Sequence, residues 1–469
     1  MPKFTLESMM KLLHQLVLLL VLSAAVSANT FAKPAHHVHG KAKAAAKQEP
    51  PAKTEQAPES TQSAATPTPA PALPHAVVGN APVPPPPSLD AKSWLLMDFT
   101  TGQVLAENNA DARVEPASIT KVMTAYIVSA ELAKGKIKLD DPVSISENAW
   151  RSGGASTEGS TSFLALNSKV PLKDLLYGMI IQSGNDAAIA LAEHVAGSEG
   201  TFAELMNQYA AQLHMTASHF TNASGLPDPN HYSTARDIGL LARAVIHDYP
   251  DDYKIYAIKE FEWNGITQHN RNTLLWRDSS VDGIKTGHTK DAGFCLTTSA
   301  KRGDQRLIAV VMGTPSEKQR ADDNQSLLNY GFRFYETHKL YEAGKALAQP
   351  ELWKGAQNTI ALGVAEDLLT TVPRGRYNDL KASMEVPGRL IAPYAKGQQV
   401  GTLKIALDGK TLAERPLVAL ADAPEAGFWG RMSDGILLWW KGDKANPGVA
   451  AVANPNAAAP PNPNAPNTK

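Results

Sequence analysis

The stretch Lys285-Thr286-Gly287 completes an ordered set of three short motifs that decides how this sequence folds. The set begins with Ser118-Ile119-Thr120-Lys121 and continues with Ser183-Gly184-Asn185. Each motif alone is weak, because Ser8-Met9-Met10-Lys11 also reads Ser-x-x-Lys and Ser146-Glu147-Asn148 also reads Ser-x-Asn. Context selects one combination: a serine at the head of an apolar helix, a second serine at a helix junction, and Lys-Thr-Gly on a strand of the same globular stretch.

The first motif supplies a serine nucleophile that needs no histidine. On a helix, Ser118 and Lys121 share one face because they lie three residues apart, so the lysine amine can reach the hydroxyl. The apolar helix that follows implies burial, which disfavours the ammonium form and lets Lys121 act as a general base near neutral pH. The alternative is a plain N-cap serine beside a surface lysine, and the other two motifs weigh against it.

The second and third motifs supply groups that handle a substrate. Ser183 can pass a proton between the lysine and the leaving group, and the Asn185 amide can bond both the lysine and the amide backbone of a substrate. A helix cap is the alternative interpretation of both residues. Lys285 offers positive charge, Thr286 offers a hydroxyl for a carboxylate, and Gly287 leaves room for an extended peptide along the strand edge.

The motifs and their surroundings resemble those of penicillin-binding proteins. Residues 91–440 look like a low-molecular-mass D-alanyl-D-alanine carboxypeptidase of bacterial cell walls, and the segments that carry the likeness are 116–121, 182–186, 282–289 and 330–334. Gly184 stands where many β-lactamases have aspartate, which favours the carboxypeptidase branch.

The resemblance implies an activity and further site residues. Such an enzyme removes the terminal D-alanine from peptidoglycan pentapeptides through an acyl-enzyme, uses no cofactor and is inhibited by β-lactams. By resemblance, His288 helps to position the substrate terminus and water, while Arg320 and Arg271 attract or fix the free carboxylate. The backbone N–H of Ser118 and another from the strand after Lys285 would form the oxyanion hole.

The N-terminal part of the chain indicates export. Residues 1–32 contain two lysines, an apolar run and small residues at candidate cleavage sites, as is typical of a secretory signal peptide. Residues 33–90 are rich in alanine and proline and predict a disordered spacer. With the resemblance, this places the enzyme peripherally on the periplasmic side of the cytoplasmic membrane.

The central part of the sequence predicts two folded domains. Strand patterns at both ends of residues 91–343 enclose helical patterns, the last near 321–337, which predicts an α/β (α+β) domain. With the resemblance, this is a β-lactamase/transpeptidase-like domain whose antiparallel sheet is flanked by helices. Short alternating runs in residues 344–423, with an Asp408-Gly409 turn, predict a small all-β domain.

The C-terminal region predicts a membrane contact. Residues 424–444 form an amphipathic pattern in which the aromatic residues of 428–441 fall at helical spacing, as in a helix lying on a membrane surface. A helix docked on its own domain is the alternative. Residues 445–469 predict a disordered tail of proline, asparagine and alanine.

Composition and spacing weigh against other functions. The net charge is −1 and the sequence shows no basic stripe, which weighs against nucleic-acid binding. No histidine or carboxylate cluster has zinc-ligand spacing, which weighs against a metallopeptidase. Cys295 is predicted to be a buried small hydrophobe. A serine β-lactamase remains an alternative, with Glu204 and Asn207 as the nearest candidates for activating a deacylating water, and so does a non-catalytic peptidoglycan-binding scaffold.

Overall fold

The computed structural model describes residues 83–154, 159–428, 432 and 448–452. The predicted signal peptide, most of the spacer, and most of the predicted membrane helix and tail lie outside these residues. No helix in the described ranges is long and apolar enough to cross a membrane.

A five-stranded antiparallel sheet forms the centre of the first domain. Its order is β2-β1-β9-β8-β7, so the two edge strands come from the early and late strand regions that the sequence predicts at the two ends of the domain. The strands are β1 (Ser93–Asp98), β2 (Val104–Asn108), β7 (Val281–Thr289), β8 (Gly293–Arg302) and β9 (Gln305–Thr314). Two small two-stranded sheets are formed by β3 (Pro142–Ser144) with β4 (Lys169–Pro171) and by β5 (Glu260–Trp263) with β6 (Ile266–His269).

Helices cover both faces of this sheet. They are α1 (Lys121–Ala133), α2 (Glu147–Gly153), α3 (Leu172–Tyr177), α4 (Asn185–Ala196), α5 (Glu199–Gln212), α6 (Ala235–Asp248), α7 (Pro250–Tyr253), α8 (Leu274–Arg277) and α9 (Glu317–Phe334). Strand β1 shows how the faces divide. Leu95 and Met97 belong to the large core shared with α1, α4 and α6, whereas Trp94 and Leu96 belong to the core beneath α9. Alternating side chains on one strand therefore bury both faces of the sheet.

The second domain is all-β. It contains β10 (Tyr335–Tyr341), β11 (Leu352–Trp353), β12 (Leu362–Gly363), β13 (Leu368–Pro373), β14 (Lys381–Val386), β15 (Leu390–Ile391), β16 (Gln399–Leu407), β17 (Lys410–Ala419) and β18 (Gly448–Val452). Its main sheet has the order β12-β17-β16-β14-β18, and the predicted Asp408-Gly409 turn joins β16 to β17. The predicted fold class, an α+β domain followed by a small all-β domain, is confirmed.

Three boundaries differ from the sequence prediction. The helical pattern near 321–337 ends at Phe334, and β10 then pairs with β13, so all-β structure begins at Tyr335 and not at residue 344. Residues 83–90, predicted as spacer, lie on the first domain: Val83 packs against the core beneath α9, and the Tyr330 hydroxyl donates a 2.9 Å hydrogen bond to the Pro84 carbonyl.

The third difference lies in the predicted disordered tail. Residues 448–452, predicted to be disordered, form β18, which pairs antiparallel with the edge strand β14. A short Gly-Val-Ala-Ala-Val run inside a proline-rich tail can supply backbone N–H and C=O groups to an open sheet edge.

Polar contacts join the two domains where β1 ends. The Asp98 carboxylate accepts hydrogen bonds from the Thr337 hydroxyl at 2.6 Å and from the Thr101 hydroxyl at 3.0 Å. Thr101 also lies 2.9 Å from the Thr371 hydroxyl on β13. Since Asp98 is fully buried, the all-β domain is fixed to the end of the strand that lies beside β9 in the main sheet.

Candidate active site

Ser118 lies in a tight turn immediately before helix α1. The turn is a 3-10 helix from Ala117 to Thr120, and Lys121 is the first residue of the α-helix that follows. Ala117 adopts the left-handed conformation with φ 47°, which is uncommon for a residue that carries a Cβ. The Lys121 ammonium donates a 2.9 Å hydrogen bond to the Ser118 hydroxyl oxygen. The structure therefore brings together the nucleophile and base that the first motif predicts.

The Lys121 amine is buried and fully bonded. Its side chain is 1% exposed, and its Nζ also donates to Asn185 Oδ1 at 2.7 Å and to the Ser224 carbonyl at 2.6 Å. Burial lowers the pKa of Lys121 to about 7, against a partial opposing effect from the Asp186 carboxylate. A sizeable fraction of the amine is consequently unprotonated near neutral pH and able to accept a proton.

Ser183 occupies a strained position between two helical segments. A π-helical turn, Gly178–Gln182, precedes it, and its own backbone is left-handed with φ 65°. The hydrogen-bond partner of its hydroxyl is Lys285, whose Nζ donates at 2.9 Å. Lys285 is 4% exposed, and burial lowers its pKa well below its usual value, with neighbouring Lys121 adding to the effect. Each of the two buried lysines therefore donates a hydrogen bond to the hydroxyl of one serine.

Strand β7 lies directly against the turn that carries Ser118. A Cβ atom at Gly287 would come within 2.8 Å of the Pro116 carbonyl oxygen and 3.3 Å of the Ser118 backbone nitrogen. Any larger residue at this position would push the strand away from the turn. The close approach sets the edge of β7 beside Ser118, where an extended peptide could lie.

Two arginines and a histidine complete this side of the site. His288 is exposed and stacks on the Phe294 ring with ring centroids 4.0 Å apart, and the Arg320 guanidinium lies 5.5 Å from the same ring. Arg320 donates to the Gly287 carbonyl at 3.4 Å and to the Glu317 carboxylate at 3.1 Å. Phe294, which the motifs do not identify, contacts both of these side chains.

These residues surround one cleft of about 480 Å³. Eight of the ten predicted site residues line it: Ser118, Ser183, Asn185, Arg271, Thr286, Gly287, His288 and Arg320. The other two, Lys121 and Lys285, lie beneath the surface of the cleft and reach it through their hydrogen bonds to the two serines. Arg271 is exposed at the cleft wall.

Comparison with known proteins identifies the family of this chain. Residues 80–316 match the family described as D-alanyl-D-alanine carboxypeptidase, and residues 335–425 match the family described as the C-terminal domain of penicillin-binding protein 5. The chain is 45% identical to the D-alanyl-D-alanine carboxypeptidase DacC of Escherichia coli K12 over 75% of its own length and 89% of that protein. The chain belongs to the D-alanyl-D-alanine carboxypeptidase family.

Solved structures place the family fold over both domains. Penicillin-binding protein 5 from Haemophilus influenzae superposes with a TM-score of 0.70 at 44% identity, covering 72% of this chain and 99% of that one. Penicillin-binding protein 6B from Escherichia coli gives 0.60 at 38% identity, covering 73% and 99%. The predicted family is therefore confirmed.

The carboxypeptidase-family site includes residues that the motifs do not reveal. Asp186 is fully buried, and its carboxylate accepts hydrogen bonds from the Thr161 hydroxyl and the Ser162 backbone N–H, both at 2.8 Å. These bonds fix the segment that includes Ser160, which lines the cleft. Asp186 directly follows the second motif, and this position is the sequence signal that could have identified it as part of the site.

The described part of the chain holds no candidate metal site. Within the described ranges, no group of three or more histidine, cysteine or carboxylate side chains is arranged to hold a metal ion. Cys295 is buried, as predicted, and burial raises its pKa to about 11, so the thiol is a poor nucleophile.

His231 contacts the 3-10 turn that contains Ser118. The Thr221 backbone N–H donates to its Nδ1 at 3.1 Å, so Nε2 carries the hydrogen and donates to the Thr120 hydroxyl at 2.8 Å. The ring is 3% exposed, and burial lowers its pKa to about 4. The neutral imidazole is therefore the form that the fold holds.

We expect this histidine to make stability depend on pH. Between pH 7 and 5 the unfolded chain protonates His231 with an ordinary pKa of about 6.5, but the folded chain does not, so the free energy of unfolding falls by about 2 kcal/mol from this group. His231→Gln should reduce the pH dependence by that amount, measured by urea unfolding at both pH values. His214→Asn, at an exposed histidine, is the control. Equal pH dependence in all three proteins would contradict the prediction.

Proposed function

We propose that this chain is a serine D-alanyl-D-alanine carboxypeptidase that removes the terminal D-alanine from peptidoglycan pentapeptides and is acylated by β-lactams. The observation that carries the proposal is the buried Lys121 amine 2.9 Å from the Ser118 hydroxyl, in a chain of this family. The direct test is incubation of the purified protein with a pentapeptide ending in D-Ala-D-Ala. Release of one equivalent of D-alanine supports the proposal, and an intact pentapeptide refutes it.

Acylation begins at Ser118. Neutral Lys121 takes the hydroxyl proton as the oxygen attacks the penultimate carbonyl carbon, forming the C–O bond of a tetrahedral intermediate. Backbone N–H groups of Ser118 and of strand β7 would bind the oxyanion, since Gly287 lets the strand approach the turn. The C–N bond then breaks, and D-alanine departs with a proton on its amine.

The second serine and lysine would deliver the leaving-group proton. Ser183 Oγ faces the cleft while Lys285 Nζ bonds it from beneath, so a proton passed from Ser183 to the amine can be replaced from the lysine. Asn185 already uses its carbonyl oxygen on Lys121, which leaves its NH₂ group for the substrate carbonyl. Water then hydrolyses the acyl-enzyme and regenerates Ser118.

Recognition of the free C-terminus would use the positive side of the cleft. Thr286 offers a hydroxyl on β7, Arg320 lies behind Gly287, and Arg271 and His288 line the walls. A carboxylate placed here meets several cationic groups in a partly dehydrated cleft, where each attraction is stronger than in water.

Neutralising Arg320 should therefore discriminate between substrates. Arg320→Gln is expected to lower kcat/KM for a pentapeptide with a free C-terminus by roughly tenfold to a hundredfold, and to change the value for its C-terminal amide far less. Lys285→Gln should show the same preference, with an additional loss from Ser183. Released D-alanine and D-alaninamide can be measured by chromatography. Arg277→Gln, at an exposed arginine that ends helix α8, is the control, and equal losses on both substrates would disprove the role.

The β-lactamase alternative finds no support in the positions of its candidate residues. Glu204 is exposed and lines a separate hollow beside Glu131 and Lys136. Asn207 is bound to the backbone of Phe220 through both its oxygen and its NH₂ group, at 2.9 and 2.8 Å. Neither residue lines the cleft that contains Ser118. A scaffold without catalysis would not require the buried lysine pair.

We also propose that the enzyme is exported and lies on the periplasmic face of the cytoplasmic membrane, held there by residues 428–441. Two residues of that segment are described: Phe428 is 66% exposed and Met432 is 45% exposed. Exposed apolar side chains on a helix beside basic residues can bury themselves among lipid headgroups.

Aromatic substitution tests the anchor better than truncation does. Truncation of the chain before Glu425 would remove the β-bridge between Glu425 and Gly355. Truncation anywhere in residues 428–441 would also remove strand β18, which pairs with β14. Replacing Trp429, Trp439 and Trp440 together by glutamine should instead abolish flotation with anionic vesicles and leave hydrolysis of soluble pentapeptide unchanged. Deletion of residues 454–469 is the control. Undiminished flotation of the triple variant would refute the anchor.

A further inference from the structure

The segment from Asn222 to Leu226 connects the general base to the wall of the cleft. The Ser224 carbonyl accepts the 2.6 Å hydrogen bond from Lys121, and Leu226 lines the cleft two residues later. Gly225 has φ 80°, and a Cβ atom there would come within 1.9 Å of the Ala117 carbonyl oxygen. A small displacement of this segment would therefore move a partner of the base and disturb the nucleophile turn.

Three side chains hold the segment in place. The Asn222 Oδ1 accepts hydrogen bonds from the backbone N–H groups of Gly225 at 2.7 Å and Leu226 at 3.1 Å. The Thr124 hydroxyl, one turn along helix α1 from Lys121, donates to the Ala223 carbonyl at 2.7 Å. The Glu199 carboxylate accepts from the Ala223 backbone N–H at 3.1 Å. Of these three, Glu199 alone carries a charge.

The environment of Glu199 is unusual for a glutamate. It is the first residue of helix α5, where the N-terminal end of the helix favours a negative charge, yet it is half-buried and does not line the cleft. Burial raises its pKa, and the neighbouring Glu193 carboxylate adds to that rise. Hydrogen bonds from the Ala223 N–H and the Asn148 side chain, together with the Lys121 ammonium, oppose it. Its negative charge in turn favours the protonated form of Lys121. The carboxylate thus contacts the segment and acts electrostatically on the base.

We propose that Glu199 is a positioning residue for the general base: it fixes the Ala223–Ser224 backbone so that the Ser224 carbonyl orients the Lys121 amine toward Ser118. The proposal rests on the proposed function, because it assigns Glu199 to the acylation step. Without an acceptor at residue 199, the Ala223 N–H would be left unpaired and the segment would shift. Substrate contacts along β7 would remain, so kcat should fall more than KM rises.

Two variants separate the acceptor from the charge. Glu199→Ala removes both, and we expect acylation by a fluorescent penicillin at pH 7 to slow by roughly tenfold to a hundredfold. Glu199→Gln keeps a carbonyl oxygen for the Ala223 N–H and should restore most of the rate. Because it lacks the charge, it should also move the acidic limb of the pH–rate profile to lower pH, since less negative charge faces Lys121.

The other charges near Lys121 must stay constant in this comparison. They are Asp186 and Arg271, together with Lys285, and none is altered by the Glu199 variants. The matched control is Glu204→Ala, which removes an exposed carboxylate from the same helix α5 and should acylate like the unmodified protein. Any change in the control rate would assign the effect to the helix and overturn the proposal.

The outcomes distinguish this inference from the function on which it rests. If the unmodified protein is not acylated by penicillin, the proposed function fails. If it is acylated and Glu199→Ala reacts at the same rate, the positioning role is wrong. Equal slowing of Glu199→Ala and Glu199→Gln with an unshifted pH profile, or failure of both variants to fold, would also overturn it, because an acceptor role must be rescued by glutamine.

Discussion

Ser118→Ala is expected to lose all detectable labelling by a fluorescent penicillin and to lose at least about a thousandfold in D-alanine release. The hydroxyl is the atom that would form the acyl bond, and its turn already holds it 2.9 Å from the Lys121 amine. Alanine is compatible with the helical turn and removes one oxygen, so the fold should be retained. The measurement is denaturing electrophoresis of the labelled protein together with a D-alanine assay.

Peptide mapping locates the label independently of the variant. Digestion of the penicillin-labelled protein should give one modified peptide, which contains residue 118, and thermal unfolding of Ser118→Ala should match that of the unmodified protein. Label on Ser183, the other serine held by a buried lysine, would show that the two motifs exchange roles. That result would refute the assignment of the nucleophile.

Lys121→Ala should lower the rate of acylation by about 10²–10⁴-fold, the usual contribution of a general base. The unmodified protein should acylate faster as the pH rises through about 7, because burial lowers the pKa of Lys121 to that value and the unprotonated amine is the reactive form. Alanine also leaves the Asn185 and Ser224 oxygens without their shared donor.

Stopped-flow measurement of penicillin acylation between pH 5.5 and 9 tests both parts. Lys138→Ala removes an exposed lysine beyond the end of helix α1 and serves as the control. A rate in Lys121→Ala within about threefold of the unmodified protein, or a profile that does not change across pH 7, would contradict the assignment of the base.

Local sequence patterns predicted the parts of the site that depend on spacing. Ser118 and Lys121 are adjacent because a helical turn brings residues three apart to one side, and Lys285, Thr286 and Gly287 share one extended strand. The central sheet could be predicted for the same reason, since its strands alternate or form apolar runs with turn residues between them.

Contacts made by backbone groups, and contacts between residues far apart in the sequence, could not be predicted from local patterns. The Ser224 carbonyl that binds Lys121 would be present whatever the side chain at residue 224, so no residue type could reveal it. The pairing of Ser183 with Lys285 joins residues 102 positions apart and depends on how β7 packs against the π-helical turn. The sequence analysis assigned Lys121 as the proton partner of Ser183, but tertiary packing brings the Lys285 amine to its hydroxyl.

The domain boundary was hidden by residues that suit two structures. Tyr335, Glu336 and Thr337 continue the amphipathic pattern of α9, but they form β10 because β13 offers a partner strand and Asp98 offers a buried acceptor for Thr337. Strand β18 was likewise missed, because short apolar runs become strands only when an open edge is available.

The three acceptors around Lys121 give its two protonation states the same surroundings. An ammonium group has three N–H donors, and Ser118 Oγ, Asn185 Oδ1 and the Ser224 carbonyl take one each. After one proton is lost, the two remaining N–H groups keep the asparagine and the carbonyl, and the freed lone pair accepts the serine O–H. Only the direction of one hydrogen bond reverses, so the resting site becomes reactive without rearranging a single heavy atom.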